Sequence, residues 1–364
     1  MVTGVIVNVV GMTTTQPEFT LNRPGALIAG LPAILGFVPE KSLILVAVDG
    51  GELGSVLRVD LADALADLAG RVAEVAAAAA PAAAIAVIVD AQGARCPACN
   101  DQHRRLVAAL CEELADRDIV LLSAHVVDRI AAGGRWHCAD GCGAGGPVDD
   151  PDASPLAAAA VLEGRRLYAR RSDLQAVIAP GDPARCAAVA AVIDESVAQR
   201  VAEGADTRDR ARRDIEHALT AVAALAGGRE PTDVELARIG CPLTDVRVRD
   251  TLCALAIGEH AAAAELLWSE LARTLPPPWR AEALVLLAFS AYSRGDGPLA
   301  GVALEAALRG APEHRMAGLL DTALQSGLRP ERIRGLADTG YRLAEQMGVQ
   351  LPGRQGQGLG RRAG

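Results

Sequence analysis

The residues with the densest chemistry lie between Cys96 and Cys142. Cys96-Pro97-Ala98-Cys99 opens the stretch, and Arg135-Trp136-His137-Cys138-Ala139-Asp140-Gly141-Cys142 closes it. C-x2-C spacing lets one turn present two thiolates to one metal, and Cys138 and Cys142 straddle an Asp-Gly turn that can do the same from the other side. This pattern predicts one structural zinc on Cys96, Cys99, Cys138 and Cys142, with His103 and His137 as reserve ligands. His103 stands about one helical turn beyond Cys99. His137 and Cys138 are adjacent and would point to opposite sides of a strand, so only one of them would ligate. The competing chemistry is a redox pair, because Cys96-Pro97-Ala98-Cys99 follows a strand pattern at a helix start, where the macrodipole lowers a thiol pKa. Cys111, Cys186, Cys241 and Cys253 lie in apolar helical contexts and read as core.

Those residues need elements to hold them. Leu27, Leu31 and Leu35 mark a helix opened by Asn22 and Pro24 and ended by Gly36 or Pro39. The apolar run 43–48 and the alternating run 55–61 flank Asp49-Gly50-Gly51-Glu52, which reads as a hairpin turn. On the second run Arg58 and Asp60 alternate with Leu57, Val59 and Leu61 and are expected on a solvated face. A helix carrying Leu61, Leu65, Leu68, Val72 and Val75 follows, then strand 84–90, a helix with Leu106, Leu110 and Leu114, and strand 119–127. Strand–helix–strand order with short connections predicts an α/β layer holding the hairpin and at least two parallel strands. His125 on the last strand reads as a satisfied core histidine.

The chain is an α+β, two-part sequence: an N-terminal α/β sheet domain over 21–150, then an all-helical, weakly tetratricopeptide-like domain over 155–345. Residues 1–20 are expected to be structureless or a mis-assigned start, and 346–364 a disordered tail. Ser154-Pro155 and the capping box Thr232–Glu235 mark helix starts in the second part. There, Gly258-Glu259-His260 with Ala263 and Leu267 echoes Gly295-Asp296-Gly297 with Ala300 and Leu304. Ala288, Ala300, Ala307 and Pro312 match the small-residue positions and closing proline of a tetratricopeptide unit.

Composition excludes several classes. The chain has 364 residues, 51% of them hydrophobic and only 2% aromatic, so alanine and leucine must line its cores. A net charge of −9 argues against nucleic acid as a partner. No continuous apolar window is long enough to span a membrane. Eight cysteines without a leader pattern point to the cytoplasm. Gly141-x-Gly143-x-x-Gly146 has dinucleotide-loop spacing, but acidic residues follow it instead of a helix. Arg165, Arg166, Arg170 and Arg171 beside Tyr168 read as a solvated basic helix face.

Five stretches together resemble the actinobacterial domain-of-unknown-function 4192 family: LNRPGALIAGLPAILGFVPEKSLILVAV at 21–48, LRVDL at 57–61, GRWHCADGCG at 134–143, DVRVRD at 245–250 and GDGPLAGVALEAALRGAPEHRMAGLLDTAL at 295–324. The resemblance implies no reaction, ligand or catalytic residue. Around Cys138 the family often shows extra cysteines and a longer, aromatic-rich loop, and this chain carries a shorter one. The expectation is therefore a non-enzymatic binding or scaffold protein with a structural zinc, its helical half offering a surface to a protein partner. The alternative is an enzyme using the α/β domain through a cysteine redox pair or a metal-activated water.

Overall fold

The computed structural model describes residues 5–8, 23–61, 68–78, 80–162, 165–203, 207–326 and 328–354. The chain divides into two compact units, 1–174 with 323–328, and 175–322 with 329–364. The first unit thus runs past the 150–155 junction expected from the sequence.

The first unit is built on a mixed sheet. Strands β1 (Val5–Asn8), β2 (Ser42–Asp49), β3 (Glu52–Asp60), β4 (Ala83–Val89), β5 (Val120–Val127), β6 (Arg135–Cys138) and β7 (Gly145–Pro147) lie in the order β1-β3-β2-β4-β5-β6-β7. The hairpin β2–β3 closes on Gly50 and Gly51, at φ +59° and +85°. Positive φ at both central turn residues gives the strand twist a tight hairpin needs, at little steric cost in glycine. β4 and β5 run parallel and every other pair is antiparallel.

One sheet face is covered by α2 (Leu68–Ala77) and α3 (Pro97–Ala115). Leu68 and Val72 pack there with Leu106, Leu110 and Leu114 against Leu43, Leu57 and Ile88. The other face is buried too: Ile44, Val46, Val56, Val87 and Val89 are each at most 3% exposed. Helix α1 (Pro24–Leu35), apolar all round, packs against α4 (Pro155–Leu162). At its start, the Gly25 carbonyl accepts from the Asp149 amide beyond β7, and Phe37, just past its end, lies 5.8 Å from the Arg58 guanidinium on β3.

Several expectations change here. Residues 5–8 are not structureless, since β1 pairs antiparallel with β3, Val5 opposite Arg58; the rest of 1–22 lies outside the described residues. Arg58 is 3% exposed rather than solvated, because its face of the sheet is covered as well. Its Nε donates to Ser42 Oγ at 2.8 Å and its Nη2 to Asp60, while Nη1 is buried without a partner. Asp60 keeps the exposed position. The α1 cap position is Arg23, not Asn22. Residues 165–170 form no helix: Arg165 donates to the Ala33 carbonyl and Tyr168 bridges Phe37, so the predicted basic helix face is absent.

The second unit is helical: α6 (Pro183–Ala202), α7 (Thr207–Ala226), α8 (Asp233–Gly240), α9 (Val246–Leu252), α10 (Ala261–Thr274), α11 (Trp279–Arg294), α12 (Gly297–Gly310), α13 (Arg315–Gln325) and α14 (Pro330–Met347), after the short α5 (Arg171–Ala176) at the boundary. The predicted capping box forms in full, with Glu235 N–H donating to the Thr232 hydroxyl and the Thr232 N–H to the Glu235 carboxylate. The two echoing glycine segments precede α10 and α12, and Ala288, Ala300 and Ala307 are fully buried where α11 meets α12. Residues 348–354 are placed rather than disordered: Arg354 lies over the Tyr341 ring at 4.6 Å and pairs with Asp338 at 2.9 Å. Residues 355–364 lie outside the described residues.

Candidate functional site

The carboxyl end of the parallel pair gathers the chemistry. Antiparallel pairing sets Ser42 opposite Val89, so the start of β2 meets the end of β4, and the Asp90 amide donates to the Val127 carbonyl at 2.9 Å. Crevices beyond the carboxyl ends of strands are where α/β sheets usually place ligands. From Asp90 a tight 3₁₀ turn, Gly93–Arg95, delivers the chain to Cys96, the cap residue of α3, with Pro97 at its first helical position.

Cys96 and Cys99 therefore open a nineteen-residue helix, half-exposed, on strand-to-helix geometry. The amide of Cys99, then its thiol, and also the amide of Ala98, hold the Cys96 thiol below its ordinary pKa, although the sulfur closes no capping hydrogen bond of normal geometry. The Cys99 thiol moves the other way, raised first by Cys96 and then by burial. The two thiols are thus driven apart in acidity.

One turn further along α3, His103 is buried and its Nε2 lies 3.3 Å from Asp90 Oδ2. Burial lowers the His103 pKa in spite of that carboxylate. With Nε2–H donated to Asp90, the Nδ1 lone pair is buried and has no partner. Gly93 is required beneath this pair, since a Cβ there would fall 2.0 Å from Asp90 Oδ2 and 2.9 Å from His103 Cε1. The positive charge of Lys41, the only lysine, also reaches Cys99 and His103. Sequence pattern does not single out Asp90, Gly93 or Lys41; the one legible sign is an aspartate ending the apolar run 84–90.

The second cysteine pair lies elsewhere on the same sheet. β6 turns back along β5, pairing Trp136 with Val127, His137 with Val126 and Cys138 with His125. Each residue recedes about 3.3 Å along the strand, so Cys138 is carried away from the carboxyl edge. Cys138 Sγ, an Asp140 oxygen and Cys142 Sγ lie within 4.8 Å of one another, and among the described residues Cys96 and Cys99 do not join that group. The four sulfurs are not gathered into one knuckle. A ten-residue connection is short enough to bring the pairs together, but the antiparallel return of β6 sets the direction. Burial and Asp140 push the Cys138 thiol up to about 12, while the Cys142 amide, donating at 2.8 Å, holds Asp140 at about 2. The reserve ligands are engaged otherwise: His137 Nε2 lies 3.2 Å from Asn100 Oδ1, and His103 faces Asp90. Gly141 and Gly143 sit in the turn after β6 at positive φ and open no helix, which removes the dinucleotide reading.

Next to the second pair lies a cavity of about 370 Å³, lined by Arg95, Asp128, Arg135, Trp136, His137 and Cys138 among others, with neither Cys96 nor Cys99 in its wall. Asp128 is buried at its edge, accepting from the Arg129 and Arg135 amides at 2.7 and 2.8 Å, and its pKa is held down against burial. His125 is buried as expected, edge-on to Trp136 at 5.0 Å with Nε2 near Ser123 Oγ, but its Nδ1 has no partner.

No helix among the described residues is long and apolar enough to cross a membrane. No curated protein and no solved structure matches the chain. The family model described as Domain of unknown function (DUF4192) matches residues 24–331, most of the chain, and the protein belongs to that family.

Proposed function

We propose that the α/β unit is a dithiol redox module, with Cys96 as the attacking thiolate and Cys99 as the resolving thiol. The observation that carries this reading is the seat of Cys96 at the cap of α3, facing the amides of Cys99 and Ala98. A helix N-terminus concentrates unpaired N–H groups and a partial positive charge, which favour a thiolate over a thiol. Only the thiolate attacks a disulfide, and the raised pKa of Cys99 orders the two steps. Such a dithiol makes the α/β unit the working part of an enzyme. Reduced thiols of this kind suit a cytoplasmic setting.

The test is alkylation of the reduced protein by iodoacetamide across pH 5–10, with each labelled cysteine located by mass spectrometry. Cys96 should be modified well below the pH at which an ordinary thiol reacts, and Cys99→Ser should trap a Cys96 mixed disulfide. A Cys96 profile centred on the ordinary thiol value, together with no disulfide after equilibration with oxidised glutathione, would sink the reading.

A second reading rests on a separate observation, the Cys138–Asp140–Cys142 group. Two thiols and a carboxylate are a fitting donor set for zinc, with the fourth position left to solvent. In that reading the chain is a binding or scaffold protein whose helical unit meets a protein partner. Metal content of protein purified without chelator decides it: about one zinc per chain, lost in Cys138→Ser, supports it, and its absence removes it.

A further inference from the structure

We infer that the cavity beside α3 selects small anionic disulfides for this dithiol, an inference that rests on the redox reading above. The cavity is not a remote feature of the surface. Its wall includes Ala94 and Arg95, the residues immediately before Cys96, and His137, whose ring is bonded to Asn100, immediately after Cys99. Cys138 also lines it, and neither Cys96 nor Cys99 does, so a disulfide anchored there must extend past Arg95 to meet the Cys96 thiol. At about 370 Å³ the cavity is at the small end of ordinary ligand sites. It suits a low-molecular-weight disulfide.

Its charge is opposite to that of the chain. The net charge is −9, yet Arg95 and Arg135 line this cavity against the single carboxylate of Asp128. That carboxylate is already satisfied without Arg95, by the two backbone amides and by Arg129 Nη1 at 3.3 Å. Arg95 is three-quarters exposed and touches Asp128 through one 3.2 Å contact, so it can turn to a ligand without stranding a buried charge. A guanidinium presents a planar fork of donors that matches a carboxylate. Trp136 supplies an apolar wall for the methylene carbons between such a carboxylate and a sulfur.

The chemistry balances within the named groups. The Cys96 thiolate attacks one sulfur of the bound disulfide, forming a Cys96–ligand disulfide and releasing the other half as a thiolate. The Cys99 thiol gives up its proton to solvent, and its sulfur attacks Cys96. That closes a Cys96–Cys99 disulfide and releases the second ligand thiolate. The ligand gains two electrons, and the protein dithiol supplies them.

The experiment compares two probes on the full-length protein, reduced with dithiothreitol and desalted. Oxidised glutathione carries carboxylates, and bis(2-hydroxyethyl) disulfide is neutral. Rates of Cys96–Cys99 disulfide formation are followed by thiol loss and mass. Oxidised glutathione should react at least tenfold faster than the neutral probe at low salt, and the advantage should shrink in high salt. Arg95→Gln and Arg135→Gln should each slow the charged probe severalfold more than the neutral one. Arg135→Gln is the cleaner of the two, since Arg95 adjoins the thiol. Equal rates for both probes, or equal losses for both in the variants, would overturn the selectivity while leaving the redox reading intact. Oxidation by neither probe would overturn the redox reading itself.

Discussion

Among the described residues each unit holds a largely buried histidine–carboxylate pair, and the two are finished differently. In the helical unit His314 Nε2 lies 3.0 Å from Glu282, its Nδ1 accepts from the Ala317 amide at the start of α13, and Glu282 also takes Arg249 at 3.0 Å. Arg249 is held in turn by Asp250. Every polar atom of that histidine is used. In the α/β unit His103 meets Asp90 at 3.3 Å, but its Nδ1 has no partner, and the pair sits under the turn that delivers Cys96. Closed polar networks rigidify a core, whereas an orphan polar atom calls for an explanation, and a functional site is a common one. The contrast separates a pair that builds the fold from a pair beside the proposed dithiol site.

The sharpest way to break this contrast is Glu282→Ala. Removing one member of a buried ion pair costs about 3–5 kcal/mol. Here the low end is expected, because Asp250 still holds Arg249. Urea unfolding should show that loss while Cys96 alkylation stays unchanged. Altered thiol reactivity in this variant would mean that the two pairs are not independent.

Gly93→Ala acts on the open pair. Its Cβ cannot coexist with Asp90 and His103 as placed, and overpacking of this kind costs about 1–3 kcal/mol. Hydrogen exchange should show the loss in α3 and β4. A protein as stable as the parent, with the same protection, would show that the turn yields without cost.

Acid comes next in size. Burial lowers the pKa of His103 and of His125. In the unfolded chain each imidazole takes a proton near pH 6.5, which the native protein resists, so the unfolded state binds more protons below that pH. Stability should be complete above about pH 6.5 and fall as pH is lowered toward the native values, by up to about 1.4 kcal/mol per pH unit for each histidine. Protection of β4 and β5 amides measured at pH 7.5 and 5.5, corrected for intrinsic exchange, checks this. Equal free energies of opening at both pH values would show that neither imidazole is held neutral.

The smallest effect is electrostatic. The negative charge of Asp90 pushes upward on both thiols, against the Cys99 amide that holds Cys96 down and together with Cys96 at Cys99. Asp90→Asn should therefore speed Cys96 alkylation severalfold at pH 6.5. A slower reaction would make Asp90 a proton acceptor for the thiol rather than a neighbouring charge.

Local pattern determined a good deal of this protein. The Gly50-Gly51 hairpin, the Leu106–Leu110–Leu114 stripe of α3, the parallel β4–β5 pair and the Thr232–Glu235 capping box depend on periodicity and on contacts a few residues apart, and all were legible. So was the seat of Cys96 and Cys99 at a helix start. What depended on distant segments was not. Arg58 alternates like a solvated residue, yet the second sheet face is covered, and period-two patterning cannot tell one buried face from two. The direction of β6 decided which cysteines meet: Cys138 joins Asp140 and Cys142, and the pair on α3 is left to itself. Asp90, Gly93 and His103 converge only because a strand end, a turn and a helix turn fold onto one point. Spacing carries the geometry of one turn or one strand, and the return path of the chain is fixed by packing across the whole sheet.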